Sequence, residues 1–180
     1  MASEIIVQTL KGPTSGANAN KVIIPSGQTL DIDAWTPPAG TVLQVFHQIY
    51  DTQVDRSSTT RIASGLTVDI TPSSTSNKIL IIVNHNGLLK QTSDVYMQSF
   101  LVRDIGGTVV DLDKFTDGAL YTANTSSIGI GGTGFTYYDS PSTTSQCTYY
   151  VEFKASSNND VVRAQVNGAA SSICAMEIAG

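Results

Sequence analysis

The sequence predicts an all-β fold: an antiparallel β-sandwich, jelly-roll-like, with an extended N-terminal arm. Three observations carry this. The 180 residues include 41 Ser plus Thr and 31 Val plus Ile, but only 3 Glu and 10 Leu. Side chains branched at Cβ are stiff and pack well on pleated surfaces, whereas the strong helix formers are scarce. Apolar residues recur at a period of two over short spans, and turn signals separate the spans. No helical segment is visible that could carry a parallel crossover, so the strands pair antiparallel.

Residues 1–40 differ from the rest. The short apolar groups Ile5, Ile6, Val7 and Val22, Ile23, Ile24 are separated by KGPTSGANANK, which has no periodicity. Leu30 and Ile32 then alternate with polar residues up to Trp35, and Pro37-Pro38 closes the segment. Such an arm cannot bury its few apolar side chains alone. From residue 41 to 180 the pattern is that of a head domain with about eight strands. Val42–Tyr50 is a strand. Leu66, Val68 and Ile70 alternate with Thr67 and Asp69 before the stop at Pro72. Lys78–Val83 is a continuous β-branched run, read as a strand buried on both faces, and Asn86-Gly87 as the turn after it. Val95–Val102 and Thr108–Leu112 flank the Gly106-Gly107 turn, and Asp117-Gly118 marks another. The glycine-rich 128–134 stretch reads as an irregular crossing. Tyr149, Val151 and Phe153 face one way, with Tyr150, Glu152 and Lys154 opposite. Val161–Val166, the Asn167-Gly168 turn and Ile173–Ile178 complete the domain.

Composition narrows the function. At 41% hydrophobic the chain is too apolar for disorder, and no apolar run approaches the ~18 residues of a membrane helix. Its net charge is −5, and its ten Lys and Arg form no basic stripe, so neither nucleic acid nor membrane insertion is expected. The opening MASEIIVQTL lacks the basic start of a secretory signal, which points to synthesis and assembly in a cytoplasm. Cys147 and Cys174 read as packed, reduced thiols, although pairing is open if their strands are neighbours.

Chemistry-bearing patterns are sparse. His47 and His85 each stand alone, without metal-ligand spacing, and no Gly-x-Ser-x-Gly elbow occurs. Asp111 and Asp113, on one side of a strand near Asp117, and Asp31 and Asp33 in the arm are paired carboxylates that could serve a glycosidase; most such pairs are solvated edges or turn caps. Gly129, Gly131, Gly132 and Gly134 lack the Lys and helix of a phosphate loop, and suit close backbone approach instead. The expectation is therefore no catalytic residue, no cofactor and no metal. Tyr121, Asn124, Tyr137 and Tyr138 remain as candidate receptor-contact positions, because polar loops with Tyr, Ser and Asn suit adaptable recognition.

Several phrases resemble a family of phage virion proteins: VLQVFHQIYDTQV, IASGLTVDITPSSTSNKILIIVN, YYDSPSTTSQCTYYVEFKAS and the closing ICAMEIAG. These are tail-fibre-like or structural proteins of tailed phages of marine bacteria and cyanobacteria. MASEIIVQTLKGPTSG with NKVIIPSGQTLDI looks like their attachment and shaft segment. The resemblance implies a jelly-roll-like head, often trimeric, displayed on the virion, and no catalysis. The resulting expectation is a homotrimer joined through Ile5, Ile6, Val7, Val22, Ile23, Ile24, Leu30, Ile32 and Trp35 of the arm. It would partner other virion proteins and a host-surface glycan or protein. The short arm keeps a capsid decoration protein as the alternative to a fibre. A carbohydrate-active enzyme is the reading from another class.

Overall fold

In the computed structural model, residues 11–19, 21–29, 36–123, 129–158 and 160–180 are described. The chain divides into two units, residues 1–36 and 37–180. The described part of the first is made of turns, with the Ala19 amide donating to the Gly16 carbonyl and Gln28 to Pro25. Gly12 lies so near the Lys21 backbone that a Cβ there would come within 2.2 Å of the Lys21 carbonyl oxygen, so only glycine permits the approach.

Among the described residues the second unit has ten strands: β1 (Val42–Tyr50), β2 (Val54–Arg56), β3 (Ile62–Ile70), β4 (Lys78–Lys90), β5 (Met97–Ile105), β6 (Thr108–Ala119), β7 (Gly129–Asp139), β8 (Cys147–Ala155), β9 (Val162–Ala164) and β10 (Ser171–Ile178). One sheet runs β3-β8-β5-β6. The other runs β1-β10-β4, with β7 on the far side of β4. Every pairing is antiparallel. Two four-strand sheets interleaved in this order are the eight-stranded double Greek key of a jelly roll. The two short strands are local breaks in it. Beyond Asn84, β9 takes over from β10 beside β4, and β2 pairs β9 much as β1 pairs β10. The break between β9 and β10 is a single 3₁₀ turn at Val166–Gly168, with Gln165 and Asn167 at positive φ.

The strand directions give the sandwich two poles. Thr41 and Ala179 lie at one, joined by hydrogen bonds from Gly40 N to Ala179 O (2.8 Å) and Ala179 N to Thr41 O (2.9 Å). The 71–77 loop and the Gly106-Gly107 turn share that pole. The 91–96 and 120–123 loops lie at the other.

Alternation explains the core. Leu66, Val68 and Ile70 of β3, Tyr149 and Val151 of β8, Ile79, Ile81 and Val83 of β4, and Ile173 and Ala175 of β10 fill the space between the sheets. A second cluster, with Leu88, Met97, Phe153 and Val162, fills the distal half.

Four local expectations are corrected. Lys78–Val83 is not buried on both faces: Ile79, Ile81 and Val83 are buried, whereas Leu80 and Ile82 are only partly covered. Asn86-Gly87 is not a turn, because β4 continues to Lys90 through a register shift, with Gly87 at φ 59°. The glycine-rich stretch is strand β7, paired along β4. Close approach is marked at Gly132, and it is to a side chain rather than to backbone: a Cβ there would meet the Asn86 side-chain oxygen at 2.5 Å. Asp117-Gly118 lies inside β6, and the chain turns only after it.

Candidate functional site

Of the carboxylates Asp111, Asp113 and Asp117, the first and last are engaged with cations. Asp111 holds Arg61 at 2.6 Å, and Arg61 also lies 3.8 Å from Glu152 with its guanidinium 3.6 Å above the Phe100 ring. Asp117 pairs with Lys114 and accepts from Gln98 at 2.7 Å, which holds its carboxyl below the ordinary range. Register shifts along β5 and β6 place Asp111 opposite Val102 and Asp113 opposite Leu101, so simple alternation does not put the two carboxylates on one side. No group of three metal-ligating side chains occurs among the described residues.

Polar chemistry inside the sandwich holds the fold together. Arg103 donates to both oxygens of Asp139 at 2.9 and 2.7 Å, and the buried Tyr149 hydroxyl donates to the same carboxylate at 2.7 Å. Burial and this bond together push the Tyr149 pKa up. Glu177 accepts from Ser73 N, Ser73 Oγ, Asn77 Nδ2 and Gln44 Nε2, tying the 71–77 loop to β10. Burial alone would raise its pKa, but these hydrogen bonds outweigh it and hold the carboxyl low. His85 is fully buried against Phe153, with Nδ1 3.3 Å from Ser99 Oγ and no partner for Nε2. Burial lowers its pKa from 6.5 to about 4.

The two outer faces of the sandwich differ sharply in chemistry. The β3-β8-β5-β6 sheet turns outward mostly polar residues, Asp69 and Thr67, then Thr148, Tyr150, Glu152 and Lys154, then Gln98 and Asp104, with Phe100, covered by Arg61, and the buried Val102 as apolar exceptions on β5. Thr148 donates to Asp69 across it at 2.6 Å. The other sheet carries Val45, His47 and Ile49 of β1, which pair Met176, Cys174 and Ser172 of β10. Beyond them, Leu80, Ile82 and Asn84 of β4 pair Tyr138, Thr136 and Gly134 of β7. Among the described residues that these four strands turn outward, Lys78, at the end of the face, is the one acid or base besides His47, and the Arg163–Asp55 ion pair lies beyond the face where β9 and β2 continue the sheet. Val45 is 53% exposed, Ile49 61% and Tyr138 57%. Beside it, between the free edges of β1 and β3, lies an open cleft of about 460 Å³ lined by Phe46, Ile49, Tyr50 and Leu66.

The positions singled out from sequence are dispersed. Ile5, Ile6, Val7, Leu30, Asp31, Ile32, Asp33, Trp35 and Asn124 lie outside the described residues. Val22, Ile23 and Ile24 are exposed at 50, 54 and 40%. Tyr121 lies in the distal loop region, edge-on to Tyr96, its hydroxyl donating to Asp94 at 3.1 Å. Tyr137 and Tyr138 are strand residues, the former packed inward near Phe135, the latter on the apolar outer face. Cys147 and Cys174 are both free, one buried in the core and the other on that outer face, in different sheets, which closes the pairing left open by sequence. The apolar face itself was not picked out as a site. Its signal was present in the unbroken KILIIV run and in VLQVFHQIY, nine residues without a Lys, Arg, Asp or Glu.

No family model and no curated protein matches the sequence. Solved structures match in fold. The infectious bursal disease virus VP2 subviral particle aligns with 93% of this chain and 41% of its own, at 13% identity and a TM-score of 0.51. The infectious bursal disease virus Gx strain structure aligns with 89% of this chain and 37% of its own, at 15% identity and a TM-score of 0.48. The chain thus spans about two fifths of the length of the chains it matches. What the first likeness establishes is the fold, an antiparallel jelly-roll sandwich like that of viral capsid proteins.

Proposed function

We propose that this chain is a non-enzymatic structural protein of a virion, self-assembling as a homotrimer and serving as a tail fibre or fibre-like appendage that contributes to host attachment. The observation that carries the reading is the strand order β1-β10-β4-β7 over β3-β8-β5-β6, the sandwich also built by a viral coat protein. The engaged state of Asp111 and Asp117 accords with a scaffold rather than a carboxylate-driven hydrolase. The separate unit of residues 1–36, with Val22–Ile24 exposed, suits an attachment and trimerisation arm. Host-surface glycan or protein is the receptor class, met through loops such as the one carrying Tyr121.

Capsid decoration is the second reading, favoured by the capsid-protein likeness of the fold. Gold-labelled antibody on intact particles, with copy number by quantitative mass spectrometry, separates the two. Label on the tail at a few to a few dozen copies supports the appendage. Label over the head at hundreds of copies supports decoration instead. Absence from purified particles overturns both, and polysaccharide turnover by the pure protein overturns the non-enzymatic reading.

A further inference from the structure

We infer that the outer face of the β1-β10-β4-β7 sheet is the surface on which a second copy of this chain docks. The inference rests on the self-assembly reading above and adds to it a second contact beside the arm: identical faces pair about a twofold axis, joining copies that the arm alone would not.

Val45, Ile49, Leu80, Ile82, Met176 and Tyr138 lie on the same side of four adjacent strands, as the cross-strand register requires. An antiparallel sheet with one face in water normally alternates apolar with polar along each strand. Here Lys78–Val83 does not alternate, and neither does β1. Among the described residues of 37–180 no further layer packs on this side, since the partner sheet covers the opposite one. An apolar face without its cover marks an interaction site.

Charge selects the occupant. The chain carries −5 overall, and acids outnumber bases on the opposite sheet and its edge, with Asp69, Asp104, Asp111, Asp117 and Glu152 against Arg61, Lys114 and Lys154. Two copies therefore repel through that side and meet without repulsion through this one. Shape agrees. Four strands ~4.8 Å apart, over seven residues of ~3.3 Å rise, make a face roughly 20 by 23 Å. Side-chain relief and the exposed edge of β1 bring this to the order of the ~800 Å² each partner gives to a stable interface. Identical sheet faces interdigitate at about 10 Å separation, as sandwich layers do. The edge needs cover as well: β1 shows none of the Lys, Pro or inward charges by which free edges are protected.

The test uses the full chain and the variant Val45→Asp/Ile49→Asp, with Val109→Asp as control because Val109, 56% exposed, lies on the other sheet. Sedimentation gives mass, circular dichroism checks the fold, and alkylation of Cys174 by N-ethylmaleimide reports cover of the face, with buried Cys147 as reference. The parent and the control should be oligomers with slow Cys174 alkylation. The double variant should stay folded and lose this contact, its mass halved, its association through the face weakened about 100-fold or more and Cys174 correspondingly quicker to react. An unchanged mass in the double variant, with Cys174 equally reactive in both, overturns this inference and leaves self-assembly to another surface. A parent chain that is monomeric at every concentration overturns both. A monomer that binds neutral phosphatidylcholine vesicles through Val45 and Ile49 assigns the face to lipid and overturns the inference too.

Discussion

His85 sits fully buried between the sheets with one ring nitrogen unpartnered, and it makes the fold sensitive to acid. Its pKa is lowered in the folded chain, so the unfolded chain binds the extra proton first. Its contribution is fully present above pH 6.5 and is lost as the pH falls toward about 4. The loss over that window amounts to about 3 kcal/mol. Urea titrations of His85→Gln between pH 7 and 4 should lack this slope; an unchanged slope would assign acid sensitivity elsewhere. The Arg103–Asp139–Tyr149 network makes a second residue-scale prediction. Asp139→Asn leaves a largely buried guanidinium without its countercharge, and should cost ~3–5 kcal/mol, on the order of 10 °C in the thermal midpoint. A midpoint within a degree or two of the parent would show the network to be dispensable. Neither role was legible in the sequence. His85 and Asp139 were single letters among others, and only the pairing of β4 with β7 and the stacking of the sheets reveal what surrounds them.

Alternation made some elements readable from sequence and misled for others. Strands β3 and β8 were legible because their inward residues are apolar and most outward ones polar, one face being core and the other water. The Lys78–Val83 run was read as doubly buried because its outward residues are apolar too, although only one side is core within the chain. Asn86-Gly87 has the letters of a hairpin turn, yet β7 pairs along both sides of it, and the ladder's continuation absorbs the positive φ as a bulge. Glycine frequency in β7 pointed away from a strand, since composition cannot show that Asn86 needs room opposite Gly132. A bulge of the same kind lies in β3. Gly65, at φ 85°, sits against the Tyr50 ring, and an added Cβ would come within 2.3 Å of it. Gly107, at φ 88° in the β5–β6 hairpin, faces open space. Gly107→Ala should therefore cost only the backbone term of about 1 kcal/mol, and Gly65→Ala more than ~2 kcal/mol. Equal losses in thermal unfolding would mean that Tyr50 moves aside freely.

For the whole molecule, the fold class was readable in residue usage and turn spacing, whereas the manner of assembly was not, because surfaces that meet in another copy leave no period in one chain. The exposed Val22–Ile24 group gives the arm its own test. Ile24→Asp should abolish the threefold association of the arm and lower the mass while the β-rich dichroism of residues 37–180 is retained, and an unchanged mass in light scattering would remove the arm from assembly. The bonds between Gly40, Thr41 and Ala179 carry a practical corollary. Residue 37 enters and residue 180 leaves at one pole, where Gly180 N is further clipped to the Asn77 side chain at 3.1 Å. A carrier, resin or fluorophore fused after residue 180 is thus moored beside the 71–77 loop. Within residues 37–180 Tyr121 lies at the opposite pole, so protein held by its residue 180 presents that loop away from the support.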